Sequence, residues 1–394
     1  MEKKSKRNIR RMIWFLVWIF SVVVISNYGG AISYGLFYAV TFLPLVSFIY
    51  LLFVFCFFRI YQKLEYREVI AGESTKYSFL LKNEGFFPFT SVSVRLYSFF
   101  SYVENMREDV EYELLRGDEY AFETNLVCKY RGEYYVGIKE IIITDFLSLF
   151  CLKYRIKSNV SAIVKPPVAT LDYIESVEHV LGILQKEQAW MNTEQDVVVR
   201  DYINGDSLKQ ISWKLSAKEN KLKVRQETGE QKQGIILLGD TKRYSRLEKE
   251  FLPLENKMLE VMGSLGLYLA KNHIAYTSVM QQSDLLIQRV EHIGQYQDYY
   301  NGLCKIRFME TVHFLDAFHQ LICQDILQQN KIIFAVFHEL EAEIITMAQE
   351  LSNRGMVVVL YVVTEKDYSE YMQFANERMK IVILPIEAKL EGRL

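Results

Sequence analysis

The sequence is poor in the patterns that usually carry chemistry. Its six histidines include no His-Glu-x-x-His spacing, and it has no Gly-x-x-x-x-Gly-Lys-Ser/Thr loop and no Gly-x-Gly-x-x-Gly turn. Zinc-hydrolase and nucleotide readings therefore have no anchor, and no cofactor is implied. No residue is nominated as a nucleophile. His313 and His319 lie six apart on a predicted helix, nearly on opposite faces, and read as ordinary helix residues. The five cysteines, Cys56, Cys128, Cys151, Cys304 and Cys323, include no close-spaced pair. This excludes the usual zinc and redox spacings and fits a reducing compartment. Charge of one sign is also lacking: 46 basic residues against 48 acidic ones leave a net charge of −2. No global field recruits nucleic acid.

What is present is apolar residue, unevenly spread. Half of the 394 residues are hydrophobic, yet the mean hydropathy is only +0.02. The excess is concentrated at the N-terminus. Residues 12–28 are apolar apart from Ser21, Ser26 and Asn27, enough for about 26 Å of helix. Residues 32–58 form a second run of about 40 Å. That exceeds a hydrocarbon core of roughly 30 Å, so tilt or fraying is expected, with a kink at Pro44. Two such runs, separated by Asn27, Gly29 and Gly30, read as a transmembrane helical hairpin. A cleaved signal peptide is the rival reading, but no small-residue cleavage pattern follows the first run. Lys3, Lys4, Lys6, Arg7, Arg10 and Arg11 face only Glu2 before the first run. This bias predicts a cytoplasmic N-terminus, and two crossings return the chain to the cytoplasmic side of a bacterial cell membrane.

Residues 64–167 change to period two, with Val92, Val94 and Leu96 alternating with Ser93, Arg95 and Tyr97. Turn triplets at Asn83-Glu84-Gly85, Arg116-Gly117-Asp118 and Arg131-Gly132-Glu133 divide the strands. A β-sandwich-like domain is expected. The Arg-Gly-Asp triplet reads as a turn rather than an adhesion motif. Residues 168–233 read as a linking segment. Residues 234–394 then alternate short apolar runs (235–238, 274–280, 332–337, 356–363, 381–384) with helical stretches (247–271, 313–329, 339–353, 368–378). This predicts an α/β doubly wound domain with a parallel sheet.

The linking segment holds the most distinctive residues: Arg200, Asp201, Tyr202, Gly205 and Asp206, then Ile211, Trp213, Ser216, Ala217 and Lys218, then Leu222, Val224 and Arg225. Read physically, Asn204-Gly205 turns, Asp206 or Ser207 caps a short helix carrying Ile211 and Leu215 on one edge, and Asn220-Lys221 leads into a strand. Lys209, Lys214, Lys218, Lys221, Lys223 and Arg225 give the segment a basic bias, which reads as a solvated face or as a docking surface for an acidic partner or a phosphate. Arg200 paired with Asp201 or Asp206 reads as a junction-fixing ion pair, or as a polar site of an enzyme.

This stretch resembles the signature of the bacterial domain-of-unknown-function-58 family: Arg-x-Tyr, Gly-Asp, Ile-x-Trp, Ser-Ala-basic and Leu-x-Val-basic. Arg131-Gly132-Glu133-Tyr134 and Asp145-Phe146-Leu147-Ser148-Leu149-Phe150 are similar to its Arg-Gly-x-Tyr and Asp-Pro-Phe-Gly-Leu-Phe pair. The chain departs from the pattern at Phe146, Ser148, Leu208, Gln210 and Ser212. The resemblance spans nearly the whole chain and implies a von Willebrand factor type A-like C-terminal domain. It also implies a partner, because such proteins are often encoded beside MoxR-type AAA+ ATPases and transglutaminase-like membrane proteins. A non-catalytic, membrane-tethered adaptor in the assembly or maturation of other proteins, those of the envelope among them, is the function so implied. Type A domains often bind a divalent cation through Asp-x-Ser-x-Ser after the first strand. Here that run is Asp240-Thr241-Lys242-Arg243-Tyr244. A lysine replaces a hydroxyl ligand, so Asp240 is expected to pair with Lys242 or Arg243 rather than to anchor a metal-dependent binding module.

Overall fold

The apolar runs form two antiparallel helices, α1 (Glu2–Tyr28) and α2 (Ala31–Phe57). The computed structural model describes residues 2–106, 110–154, 156, 159–194, 199–203, 211–219, 221–225, 234–282, 285–323 and 330–390. It divides into two compact units, Met1–Pro166 and Pro167–Leu394. Both helices are long and apolar enough to cross a membrane. Ser21, Ser33 and Val40 are buried, two of them small, while Phe15, Phe20, Phe42 and Leu45 are exposed. Small contact residues let helices approach closely in lipid. The Trp14 indole donates to the carbonyl of Val40 at 3.3 Å and that of Trp18 to the Thr41 hydroxyl at 3.2 Å, lacing the hairpin together.

The surplus length of α2 is not taken up by fraying, because its last turns pack into the β-rich part of the same unit. Leu51 and Val54 are buried in one core with Phe58, Phe89, Val92 and Ile143. Helix α2 also runs on through Pro44.

That core is enclosed by strands β1 (Phe58–Leu64), β2 (Glu68–Ile70), β3 (Ser74–Asn83), β4 (Phe89–Leu96), β5 (Ser101–Val103), β6 (Val110–Leu114), β7 (Glu119–Cys128), β8 (Gly132–Val136), β9 (Ile138–Thr144), β10 (Cys151–Tyr154) and β11 (Val160–Lys165). Two antiparallel four-stranded sheets, β1-β3-β7-β5 and β10-β9-β4-β6, supply its two faces, and a smaller sheet, β2-β11-β8, joins them. Alternation does the work expected of it: Tyr77, Phe79 and Leu81 point inward from β3, and Val92 and Val94 from β4. The Arg-Gly-Asp triplet makes the β6–β7 turn, with Gly117 at φ 77° and the Asp118 carboxylate accepting the Leu115 N–H at 2.9 Å.

The second unit is built on a six-stranded sheet of β14 (Gly234–Gly239), β15 (Tyr276–Gln281), β16 (Leu285–Val290), β17 (Asn330–Phe337), β18 (Val357–Val363) and β19 (Met379–Leu384). Its order is β16-β15-β14-β17-β18-β19. Successive residues of β14 feed opposite cores. Ile235 and Leu237 pack with α3 (Glu175–Glu194), α5 (Glu248–Lys271) and α6 (Ile293–Lys305). Ile236 and Leu238 pack with α7 (Phe314–Cys323) and α8 (Ala342–Asn353). The unit is therefore doubly wound, with the chain order reversing at β14.

Four details differ from expectation, the first being helix α6, which no expected helix covers. The sheet is not wholly parallel, since β16 pairs antiparallel with β15 as a half-exposed edge strand. The 368–378 helix shrinks to a 3-10 segment, Ser369–Phe374, which buries no side chain and so has no packing to extend it. Helix α3 arises within the segment read as a linker, and Val177 and Val180, with Ile174 just before the helix, seat it in the core.

Candidate functional site

The signature residues form a small module of their own. Strands β12 (Val199–Asp201) and β13 (Lys223–Arg225) pair antiparallel, with Arg200 opposite Val224, and α4 (Trp213–Glu219) lies beside them. Ile211 is not on the helix: it bridges Val224, and both are buried. The Ser212 N–H donates to the Lys223 carbonyl at 2.8 Å, and the Ser216 hydroxyl accepts the Lys223 N–H at 2.8 Å. The Tyr202 N–H donates to the carbonyl of Leu222 at 2.9 Å. These bonds occupy backbone groups that a two-stranded ribbon would otherwise leave unpaired. Gly205, Asp206, Ser207, Lys209 and the expected turn at Asn204 lie outside the described residues.

The module thereby sorts its signature into a clamp and a surface. Ile211, Ser212, Ser216 and Val224 are inside, whereas Ile203, Trp213 and Leu222 are 64%, 65% and 45% exposed. Ala217 and Lys218 are exposed as well. Lys223 is drawn inward, to Asp201 at 2.8 Å and Glu219 at 3.1 Å. Hydrogen bonding to Lys223, aided by its charge, holds the Asp201 carboxyl below the usual range. Asp201 thus pairs with Lys223.

A second polar cluster sits where β14 ends, in the crevice at the strand-order reversal where doubly wound sheets place ligands. Asp240 is buried, and both its oxygens are engaged. One accepts the Lys242 backbone N–H at 2.8 Å, the other the Tyr244 hydroxyl at 2.5 Å. Burial pushes its carboxyl up to about 6 against these hydrogen bonds. The partners differ from those expected, because the Arg243 side chain turns away to Glu255 at 2.8 Å. The Lys242 ammonium lies over the Tyr244 ring and 4.0 Å from Glu341. His338, following β17, packs edge-on against Tyr244, and its Nδ1 bonds the Val363 carbonyl at 2.6 Å. Burial lowers its basicity. Among the described residues no group of three or more His, Cys, Asp or Glu is arranged to hold a metal ion.

No family model matches this chain, and no curated protein matches it. Solved structures are similar over parts of it. The CARDB domain of a Pyrococcus furiosus protein, in complex with di-metal ions, is 17% identical over 27% of this chain and 91% of that one, with a TM-score of 0.19. A FixG-related protein from Vibrio parahaemolyticus is 12% identical over 28% of this chain and 97% of its own, with a TM-score of 0.21. Proximal thread matrix protein 1 from the mussel byssus is 11% identical over 38% of this chain and 43% of its own, with a TM-score of 0.27. Similarity at this level carries no assignment of fold or function.

Two residues of these clusters escape a reading of the sequence alone. His338 looks isolated there, and its only signal is its place after an apolar strand that turns out to neighbour β14. Ile203 is legible as apolar but not as exposed.

Proposed function

We propose that the chain is a domain-of-unknown-function-58 protein, a membrane-anchored, non-catalytic adaptor that docks a protein partner through its signature module. The observation that carries this reading is the exposure of Trp213, together with that of Ile203 and Leu222, on a module whose Ile211 and Val224 are buried against each other. A large exposed aromatic at a rigid site is the kind of residue that anchors protein interfaces. The family resemblance names the partner class, a MoxR-type AAA+ ATPase, and the process, assembly or maturation of other, envelope-associated proteins. The doubly wound second unit suits the von Willebrand factor type A-like domain that the resemblance implies. The basic start and the hairpin favour a cytoplasmic location for the β-rich part and the second unit, where such an ATPase has its nucleotide.

The rival readings draw less support. Asp201 is exposed and paired with Lys223, the reverse of the buried, raised carboxyl expected of a general base. At Asp240 a hydroxyl and an amide donor occupy the oxygens a cation would need. Pull-down of the full chain from detergent-solubilised membranes tests the proposal. It expects an AAA+ ATPase with the native protein and its loss with Trp213→Ala at unchanged thermal stability. Undiminished recovery with that variant, or no ATPase with either, would overturn it.

A further inference from the structure

A cavity of about 540 Å³ lies at the foot of the hairpin, within the first unit. Lys6, Arg7 and Arg10 enter it from α1, and Arg95 and Lys153 from the outer face of the β10-β9-β4-β6 sheet. Thr90, Ser91 and Ser93 add hydroxyls on its floor. Its lining acids are Glu111 and Asp145. Asp145 gives both oxygens away, to Ser47 and to the Phe150 N–H, and Glu140 is shared between Arg95 at 2.7 Å and Lys153 at 3.3 Å. Glu111 reaches Ser91 at 3.4 Å. The lining thus carries five cations against two carboxylates, with Glu140 outside it holding Arg95 and Lys153.

Two donors in this cavity lack a partner in the fold. Arg7 Nε and Thr90 Oγ1 are each buried without a hydrogen bond. A buried guanidinium nitrogen and a buried hydroxyl left unpaired are costly unless something binds them. The depth also matters. Arg10 and Arg7 precede Met12, where the continuous apolar run begins, by about 3 and about 8 Å of helix rise, the zone of lipid headgroups rather than of acyl chains.

From this geometry we infer that the cavity binds the phosphate of an anionic membrane lipid, with Arg7, Arg10 and Thr90 as its donors. Arginine suits this role because its fork donates to two phosphate oxygens at once. A basic recess of this kind beside membrane helices holds a headgroup in place of the loose attraction of a basic tail. The inference depends on the membrane anchor and is independent of the adaptor reading.

The test uses the full chain in nanodiscs of phosphatidylcholine with and without phosphatidylglycerol, released into a native mass spectrometer. The native protein should retain phosphatidylglycerol in preference to phosphatidylcholine. Arg7→Gln and Thr90→Val should each reduce that retention about tenfold, the worth of one hydrogen bond to a charged group. Lys63→Gln, a cation outside the cavity, should not. Thr90→Val removes no charge, so its loss cannot come from altered membrane orientation. Equal retention by Arg7→Gln and Lys63→Gln, or no lipid preference in the native protein, would overturn the inference. Inorganic phosphate titrated into phosphatidylcholine discs separates the sources. Binding that Arg7→Gln abolishes, without phosphatidylglycerol retention, would support the anion site and overturn its lipid source.

Discussion

The Ser47 hydroxyl, on α2, donates a hydrogen bond to the carboxylate of Asp145, 98 residues further along the chain, with both groups buried. The other oxygen of Asp145 accepts the Phe150 N–H at 2.7 Å, and Arg11 on α1 donates to the Leu149 carbonyl at 2.7 Å. The turn at residues 145–150 thus ties both helices of the hairpin to the β-rich part. Removing the Ser47 hydroxyl leaves a buried carboxylate oxygen unpaired. Ser47→Ala should destabilise the first unit by about 1–3 kcal/mol. Ser33→Ala, whose hydroxyl only bonds the Gly29 carbonyl of its own helix at 2.9 Å, should cost less. Thermal unfolding in detergent checks the order, and equal effects would contradict it.

Ser148 in the same turn has φ 55°, a conformation that favours glycine. It stands where the resembled family carries glycine. Ser148→Gly should relieve this strain and raise stability by up to about 1 kcal/mol, the backbone penalty less glycine's extra unfolded freedom. The same unfolding measurement reads it, and a loss of stability would show that the serine side chain contributes more than its backbone costs.

In the signature module, clamp and surface should separate in energy. Trp213→Ala removes an exposed ring and should change stability by less than about 0.5 kcal/mol. Ile211→Ala empties a buried position against Val224 and should cost about 2–5 kcal/mol. If the two variants unfold alike, Trp213 is a folding residue, and its effect on partner recovery loses its meaning.

Asp240 ties stability to pH. Its carboxyl titrates near 6 when folded, against an ordinary value of 3.8. Between these values the folded chain holds a proton that the unfolded chain has released. The contribution is therefore complete below about pH 4 and is lost as pH rises through 6. The stability of the native protein relative to Asp240→Asn should fall between pH 4 and 7. Tyr244→Phe removes a donor that favours the charged form and should move the midpoint upward. Melting temperatures across that range test both, and a difference that is flat or rises with pH would contradict them.

Much of this arrangement is legible in the residues, and the remainder fails for physical reasons. The hairpin declares itself because lipid demands unbroken apolar length. The strands of the doubly wound sheet do so because they are buried on both faces. Leu51 and Val54 mislead because apolar residues look the same whether they face lipid or a β-sheet core. Strand β16 is missed because an edge strand is only half apolar. Helix α3 is missed because its buried core residues, Val177 and Val180, are few in a polar stretch. Asp240 is visible as a strand-end acid, but its link to His338 exists only once β14 and β17 are neighbours. The basic cavity is hidden for the same reason, since Arg7 and Thr90 meet only in the folded unit.

Membrane topology offers the most direct test of the account, because a cytosolic ATPase partner requires the second unit to share its compartment. Single-site variants Tyr28→Cys and Lys218→Cys should be treated in intact cells with a membrane-impermeant maleimide and the labelled sites mapped by mass spectrometry. Cysteine at 28, in the hairpin turn, should react in intact cells. At 218, on the exposed face of α4, it should react only after the cells are opened. Labelling of position 218 in intact cells would contradict the account.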